Sequence, residues 1–169
     1  DSNTATVTIS VVEKPETLEW ATYFGKTYDN NNSVQDNSGN TYVTGSFEDF
    51  SNFKDNSSLD AIYPQGLQDG YVAKYNDSGQ LQWASTFGGL FEDYANYITI
   101  GNDGNIYAEI YFKGVITFSD GEQLGSSDDN YSKTAIIKFD ANSGDILWKS
   151  QMPENKYGFG EQSRGLVVK

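Results

Sequence analysis

Residues Asp69–Gly89 read DGYVAKYNDSGQLQWASTFGG, and residues Ser132–Gln151 read SKTAIIKFDANSGDILWKSQ. Each predicts a strand, a tight turn and a second strand that carries a tryptophan. In the first, Tyr71–Tyr75 is apolar or aromatic apart from one lysine, Asn76-Asp77-Ser78-Gly79 forms the turn, and Leu81–Phe87 runs out as the next strand. The glycine belongs there because a hairpin of this length needs a residue at positive φ. The second copy repeats the logic with Ile136–Phe139, Asp140–Gly144 and Ile146–Lys149.

Working outward, a third and partial copy appears at Leu18–Gly25 (LEWATYFG), which matches Leu81–Gly88 (LQWASTFG). The tryptophans Trp20, Trp83 and Trp148 are therefore spaced by 63 and 65 residues. A second pair of turns keeps the same offset of 65: Asp36-Asn37-Ser38-Gly39-Asn40 and Gly101-Asn102-Asp103-Gly104-Asn105. Strands are predicted at 41–47, 71–75, 81–87, 96–100, 106–112, 134–139 and 146–150, with no helix. The polar stretch Lys26–Ser33 reads as a loop, although Tyr94–Ile100 at the same place in the next repeat is a good strand. Short apolar pieces, Phe50/Phe53 and Val115–Phe118, fit an extra small hairpin in each repeat, and Arg164–Val168 restarts the pattern of Asn96–Ile100.

Four antiparallel strands per period is the unit of a β-propeller blade, and a self-similar period of this length is the mark of a repeat architecture. The fold class expected is all-β, with about two blades (residues 32–89 and 96–151) of a larger propeller spanning 16–169 and partial blades at both ends. The tryptophan on each last strand is expected to wedge between blades, where it buries on the order of 200 Å². Ahead of the repeats, Thr4–Val11 alternates apolar and hydroxylated residues as a one-sided antiparallel strand does, until Pro15 ends it. Residues 1–15 are read as the last strand of a preceding module or as an N-terminal arm. Both ends of the 169-residue chain look cut, so more repeats are expected after Lys169.

Composition narrows function. Asp and Glu number 24 against 11 Lys and Arg, a net charge of −13, which argues against nucleic acid and anionic membranes as partners. The absence of Cys and His removes thiol chemistry, disulfides, imidazole bases and the usual zinc sites. No stretch approaches the ~20 apolar residues of a membrane span. A Cys-free, acidic, hydroxyl- and amide-rich chain fits a secreted bacterial protein, placed outside the cell or on its surface.

The pattern D-x-SGN-x-Y-x-TG-x-F, then DGYVAKY-x-x-SG-x-LQWA-x-x-FGG, resembles the bacterial β-propeller repeat called SBBP. It is carried by Asp36, Ser38, Gly39, Asn40, Tyr42, Thr44, Gly45 and Phe47, and by Asp69, Gly70, Val72, Ala73, Lys74, Ser78, Gly79, Leu81, Trp83, Phe87, Gly88 and Gly89. The second copy departs where Ile110 stands for Gly45 and Lys133-Thr134 for Asp69-Gly70. The resemblance implies a cell-surface or extracellular protein and supplies no catalytic motif. The opening ATVTISVVEKPE resembles the final strand of an immunoglobulin-like module of large bacterial surface proteins. AIIKFDANSGDILWKSQ also resembles the quinoprotein-type propeller repeat, which implies a quinone cofactor and Ca²⁺; no adjacent Cys pair or cofactor-ligand cluster accompanies it.

The reading is a non-catalytic scaffold, adhesion or ligand-presenting module whose first partners are further blades, with a surface glycan or another surface protein beyond them. A carbohydrate-binding propeller is the alternative, motivated by the tyrosines and tryptophans, with the quinoprotein enzyme behind it. Asp140, Asn142 and Asp145 partly match a calcium loop, but the terminal Glu such a loop needs falls at Gln151. The same residues make hairpin turns by bonding their own backbone, and that reading is preferred. The acids in Ser119-Asp120-Gly121-Glu122 and Asp128-Asp129-Asn130 read as solvated charge, with low-affinity extracellular Ca²⁺ (~10⁻⁴–10⁻³ M) as the functional option. The pairs Glu48-Asp49 and Glu92-Asp93 are set aside, because adjacent residues face opposite sides of a strand and glycoside hydrolysis needs two facing carboxylates.

Overall fold

A computed structural model describes residues 32–48, 62–127, 131–153 and 166–168. The expected strands Thr4–Val11 and Leu18–Phe24, with Trp20, lie outside these residues, as do Asp49, Phe50, Phe53, the acidic run Asp128–Asn130 and Arg164. The described residues form ten strands and no helix: β1 (Asn32–Gln35), β2 (Thr41–Phe47), β3 (Asp69–Tyr75), β4 (Leu81–Gly89), β5 (Tyr94–Ile100), β6 (Ile106–Lys113), β7 (Val115–Phe118), β8 (Gln123–Gly125), β9 (Ser132–Phe139) and β10 (Ile146–Gln151). All seven strands expected from the repeat are present, several longer by one or two residues at an end.

These strands make two antiparallel sheets, ordered β1-β2-β3-β4-β7-β8 and β5-β6-β9-β10. Each repeat is a four-stranded meander, and neither sheet closes on itself. The sheets depart from the sequence reading in three places. The stretch read as loop through Ser33 ends in β1, which pairs with β2 through Asn32↔Thr44 to Gln35↔Thr41. A polar edge strand needs only its neighbour's backbone partners and one half-covered face, and Ser33 and Gln35 point to solvent here. Residues 166–168, expected to restart a strand, are not in one.

The third departure is topological. The extra hairpin at Val115–Phe118 forms, but it leaves its own repeat and pairs with β4 of the preceding one through Phe87↔Phe118, Gly88↔Thr117 and Gly89↔Ile116. The first sheet thus has six strands instead of four. The open edge of β4 offers a row of unpaired N–H and C=O groups, and the hairpin fills it. A Cβ on Gly89 would stand 2.2 Å from the Val115 carbonyl, so this crossing needs a bare backbone. Lys149 on β10 then holds the hairpin's turn, its Nζ 2.6 Å from Asp120 Oδ2 and 2.7 Å from Glu122 Oε2.

The core lies between the two sheets. Cross-strand register puts Tyr42, Lys74 and Trp83 in one row, and Thr44, Val72 and Ser85 in the next, on the same face of the first sheet. Against that face pack Ala95, Ile98, Ile106, Ala108, Ile137 and Phe139 of the second sheet, with Phe139 stacked on Trp83 at 6.1 Å. The opposite face of the first sheet is a second buried cluster of Phe47, Tyr71, Ala73 and Tyr75. Period-two alternation separates the two faces of every strand.

Candidate functional site

The contact between the sheets is built around one backbone carbonyl. The turn from β9 to β10 begins at Asp140, whose Oδ1 accepts from the Asn142 and Ser143 amides at 2.8 and 3.0 Å. This curls the turn so that the Ala141 carbonyl points at the first sheet. There it accepts from Lys74 Nζ at 2.8 Å and Trp83 Nε1 at 3.3 Å, with the Tyr42 hydroxyl 3.4 Å away. Gly144, at φ +78°, closes the turn flat against the Trp83 indole.

The row that receives the turn is itself pre-arranged. Lys74 Nζ stands 5.3 Å from the centre of the Tyr42 ring, and Tyr42 and Trp83 rings are 6.1 Å apart. The Tyr42 hydroxyl also reaches Asp36 Oδ2 at 3.3 Å. Burial, together with the Asp36 carboxylate, pushes the Tyr42 phenol up to about 12. Burial resists ionisation of Asp36, but hydrogen bonds from Asn40, Ser38 and Tyr42 outweigh it and hold its carboxyl below the usual range. Such a row is suited to gripping a polar backbone group in an apolar surround, since a buried lysine needs an acceptor to offset its desolvation.

The three residues read as a partial calcium loop sit in this same turn. Asp140 Oδ1 is used by the turn amides, Asp145 Oδ2 accepts from the Ser143 hydroxyl at 2.7 Å, and Asn142 enters through its backbone N–H. The backbone bonds hold the Asp140 carboxyl below its ordinary value. Among the described residues no group of three or more Asp, Glu, His or Cys is placed to hold a metal ion. The acids of Ser119–Glu122 meet Lys149. Burial opposes ionisation of Asp120, yet the lysine's hydrogen bond prevails and keeps its carboxyl low.

Two carboxylates that the sequence did not single out as a pair are the most buried in the described structure. Asp69, 3% exposed, starts β3, and Asp93, 0% exposed, precedes β5. Asp93 Oδ2 accepts from the Gly89 amide at 2.8 Å and its Oδ1 from the Lys113 amide at 3.3 Å, while its own amide donates to Gln68 O at 2.8 Å. Asp69 Oδ2 accepts from the Gln65 amide at 3.1 Å, and its Oδ1 has no hydrogen-bond partner. Asp69 also lies where a side chain on Gly88 would be, so the two carboxylates bracket the Gly88-Gly89 backbone. Burial pushes Asp69 up to about 6 and Asp93 up to about 7, the latter also raised by the charges of Asp69 and Glu92. The signals available in sequence were the Asp69-Gly70 pair of the repeat and the Glu92-Asp93 pair. The second pair is split, although both residues precede β5 and strand alternation does not apply to them: Glu92 faces Lys113 at 3.5 Å on the surface, and Asp93 turns inward.

Fold and site together define an all-β protein of stacked, repeated antiparallel sheets. No protein-family model matches the chain, and a search of curated proteins finds no relative.

Proposed function

We propose that the chain is a non-catalytic, extracellular or cell-surface module whose repeats are β-propeller blades, serving as scaffold, adhesion or ligand-presenting domain of a larger bacterial surface protein. The observation that carries this reading is the seating of the Ala141–Gly144 turn on Tyr42, Lys74 and Trp83. The most elaborate polar arrangement in the described residues joins one repeat to the next. Its groups act on a backbone carbonyl, which is the work of a scaffold. The net charge of −13 directs partners toward neutral or cationic surfaces.

The purified chain tests this against ester, glycoside and alcohol-oxidation substrates, with and without a quinone and Ca²⁺, and in parallel for adhesion to surface glycans and cell-surface proteins. Adhesion without turnover is expected. Turnover that a single Asp or Glu substitution removes would overturn it. Tyr63 and Tyr131, 68% and 69% exposed, favour a second reading as a carbohydrate-binding propeller, because exposed rings stack on sugar faces. Saturable binding on a glycan array, lost when both tyrosines become alanine, distinguishes that reading.

A further inference from the structure

The face of the second sheet that points away from the first carries the same row that holds the two sheets together. Register aligns Tyr107, Lys138 and Trp148 across β6, β9 and β10. These are the counterparts of Tyr42, Lys74 and Trp83, at offsets of 65, 64 and 65 residues. The geometry is reproduced as well as the residue types. Lys138 Nζ is 5.4 Å from the Tyr107 ring centre, against 5.3 Å for Lys74 and Tyr42. Tyr107 and Trp148 rings are 6.0 Å apart, against 6.1 Å for Tyr42 and Trp83. The Tyr107 hydroxyl bonds Asp103 Oδ2 at 3.0 Å as Tyr42 bonds Asp36.

The difference is coverage. Trp83 is 9% exposed and Trp148 is 42% exposed. The stacking is head-to-tail: the Tyr–Lys–Trp face of the first sheet receives the opposite, Ala/Ile-rich face of the second. Head-to-tail contacts of this kind propagate until something ends or closes them. Resting on the reading of the chain as a repeat scaffold, we propose that Tyr107, Lys138 and Trp148 form the seat for a third sheet of the same repeat. That sheet presents a turn like Asp140–Gly144, closed by the glycine amide on the carbonyl of the first residue, whose second residue offers its carbonyl to Lys138 and Trp148 and whose glycine lies on the Trp148 ring. Lys138 already contacts Asp103 Oδ2 at 2.7 Å, and an ammonium has three protons, so it can hold the carboxylate and a carbonyl together. The turn must end in glycine, since in the seated copy a Cβ on Gly144 would stand 2.6 Å from the indole.

The test lengthens the full chain by a second copy of residues 90–151 after Lys169 and reads Trp148 by acrylamide quenching, each chain compared with its own Trp148→Phe variant. On the proposal, the accessibility of Trp148 falls about fivefold, the ratio of 42% to 9%. Alanine in place of the glycine in the added turn, or Lys138→Met in the seat, restores it. Circular dichroism of the same samples reports whether the added strands fold. Unchanged quenching overturns the proposal whether they fold or not, because a true seat would order them. Protection of Trp148 in the original chain that grows with concentration, with dimers in sedimentation, overturns it in favour of a second copy as occupant. A catalytic activity of the chain would defeat the scaffold reading and leave these quenching results untouched.

Discussion

Gly144 stands so close to Trp83 that a Cβ built on it would lie 2.6 Å from the indole ring, while Gly104, at nearly the same φ, meets nothing within 4 Å. The two glycines share this left-handed φ, although the Gly144 turn, closed by its amide on Asp140 O, is one residue longer than the Gly104 turn, closed on Gly101 O, so alanine at both sets one backbone penalty against two different surroundings. Gly104→Ala is expected to cost about 1 kcal/mol, the penalty of left-handed backbone for a residue with a Cβ. Gly144→Ala adds a steric clash in a packed contact, raising the loss to about 2–4 kcal/mol. Urea unfolding of the two variants measures the difference.

The tryptophans are expected to differ in the same way. Trp83→Ala removes a 9%-exposed ring stacked on Phe139 and should cost about 3–5 kcal/mol. Trp148→Ala, at 42% exposure, should cost about 1 kcal/mol in the unlengthened chain. Equal losses in thermal unfolding would mean that the repeat does not confer different roles on the two rings.

The buried pair Asp69 and Asp93 sets a pH dependence. Burial raises both carboxyls, to about 6 and about 7, so the folded protein binds protons more tightly than the unfolded chain. Their contribution to stability is full below the ordinary carboxyl value of 3.8 and is lost as pH rises toward 7. Asp36, Asp103, Asp120 and Asp140 are shifted the other way, and their contribution is lost as pH falls below the same value. Thermal unfolding should therefore show a maximum at mildly acidic pH. Asp69→Asn keeps an acceptor for the Gln65 amide and removes a charge whose Oδ1 is unpartnered, so it is expected to stabilise the protein at pH 8 and flatten the slope between 4 and 7.

Lys149 is expected to govern the hairpin that crosses between repeats. Its side chain is 7% exposed and bonds Asp120 and Glu122 across the sheet boundary. Lys149→Met keeps the aliphatic stem and leaves Asp120 without its cation, so the amides of β7 and β8 should exchange at least about tenfold faster, the effect of roughly 1.4 kcal/mol of local destabilisation. Hydrogen exchange of the peptide covering 115–125 measures it, with the amides of β3 as the control.

Much of this architecture was legible in sequence because it is local and repeated. Turns such as Asn76–Gly79 need a residue at positive φ and an Asx side chain bonding its own backbone, and both are written in adjacent residues. The strands that flank them declare themselves by β-branched and aromatic content, so the four-stranded meander follows from one period of sequence. The 65-residue offset between Tyr42 and Tyr107, and between Trp83 and Trp148, likewise fixed which residues occupy equivalent places.

The tertiary structure decided what meets across the repeats. Nothing in Val115–Phe118 states that its partner is β4 of the preceding sheet and not a strand of its own, because backbone pairing carries no sequence label. The polar β1 is a strand only because β2 lies beside it. The burial of Asp93 beside Asp69 arises from loops at 65–69 and 89–93 converging, and a raised carboxyl has no signature until the water around it is gone. Lys74 stands in the sequence only as the one lysine of an apolar strand; its role as the donor to Ala141 depends on a turn 67 residues away.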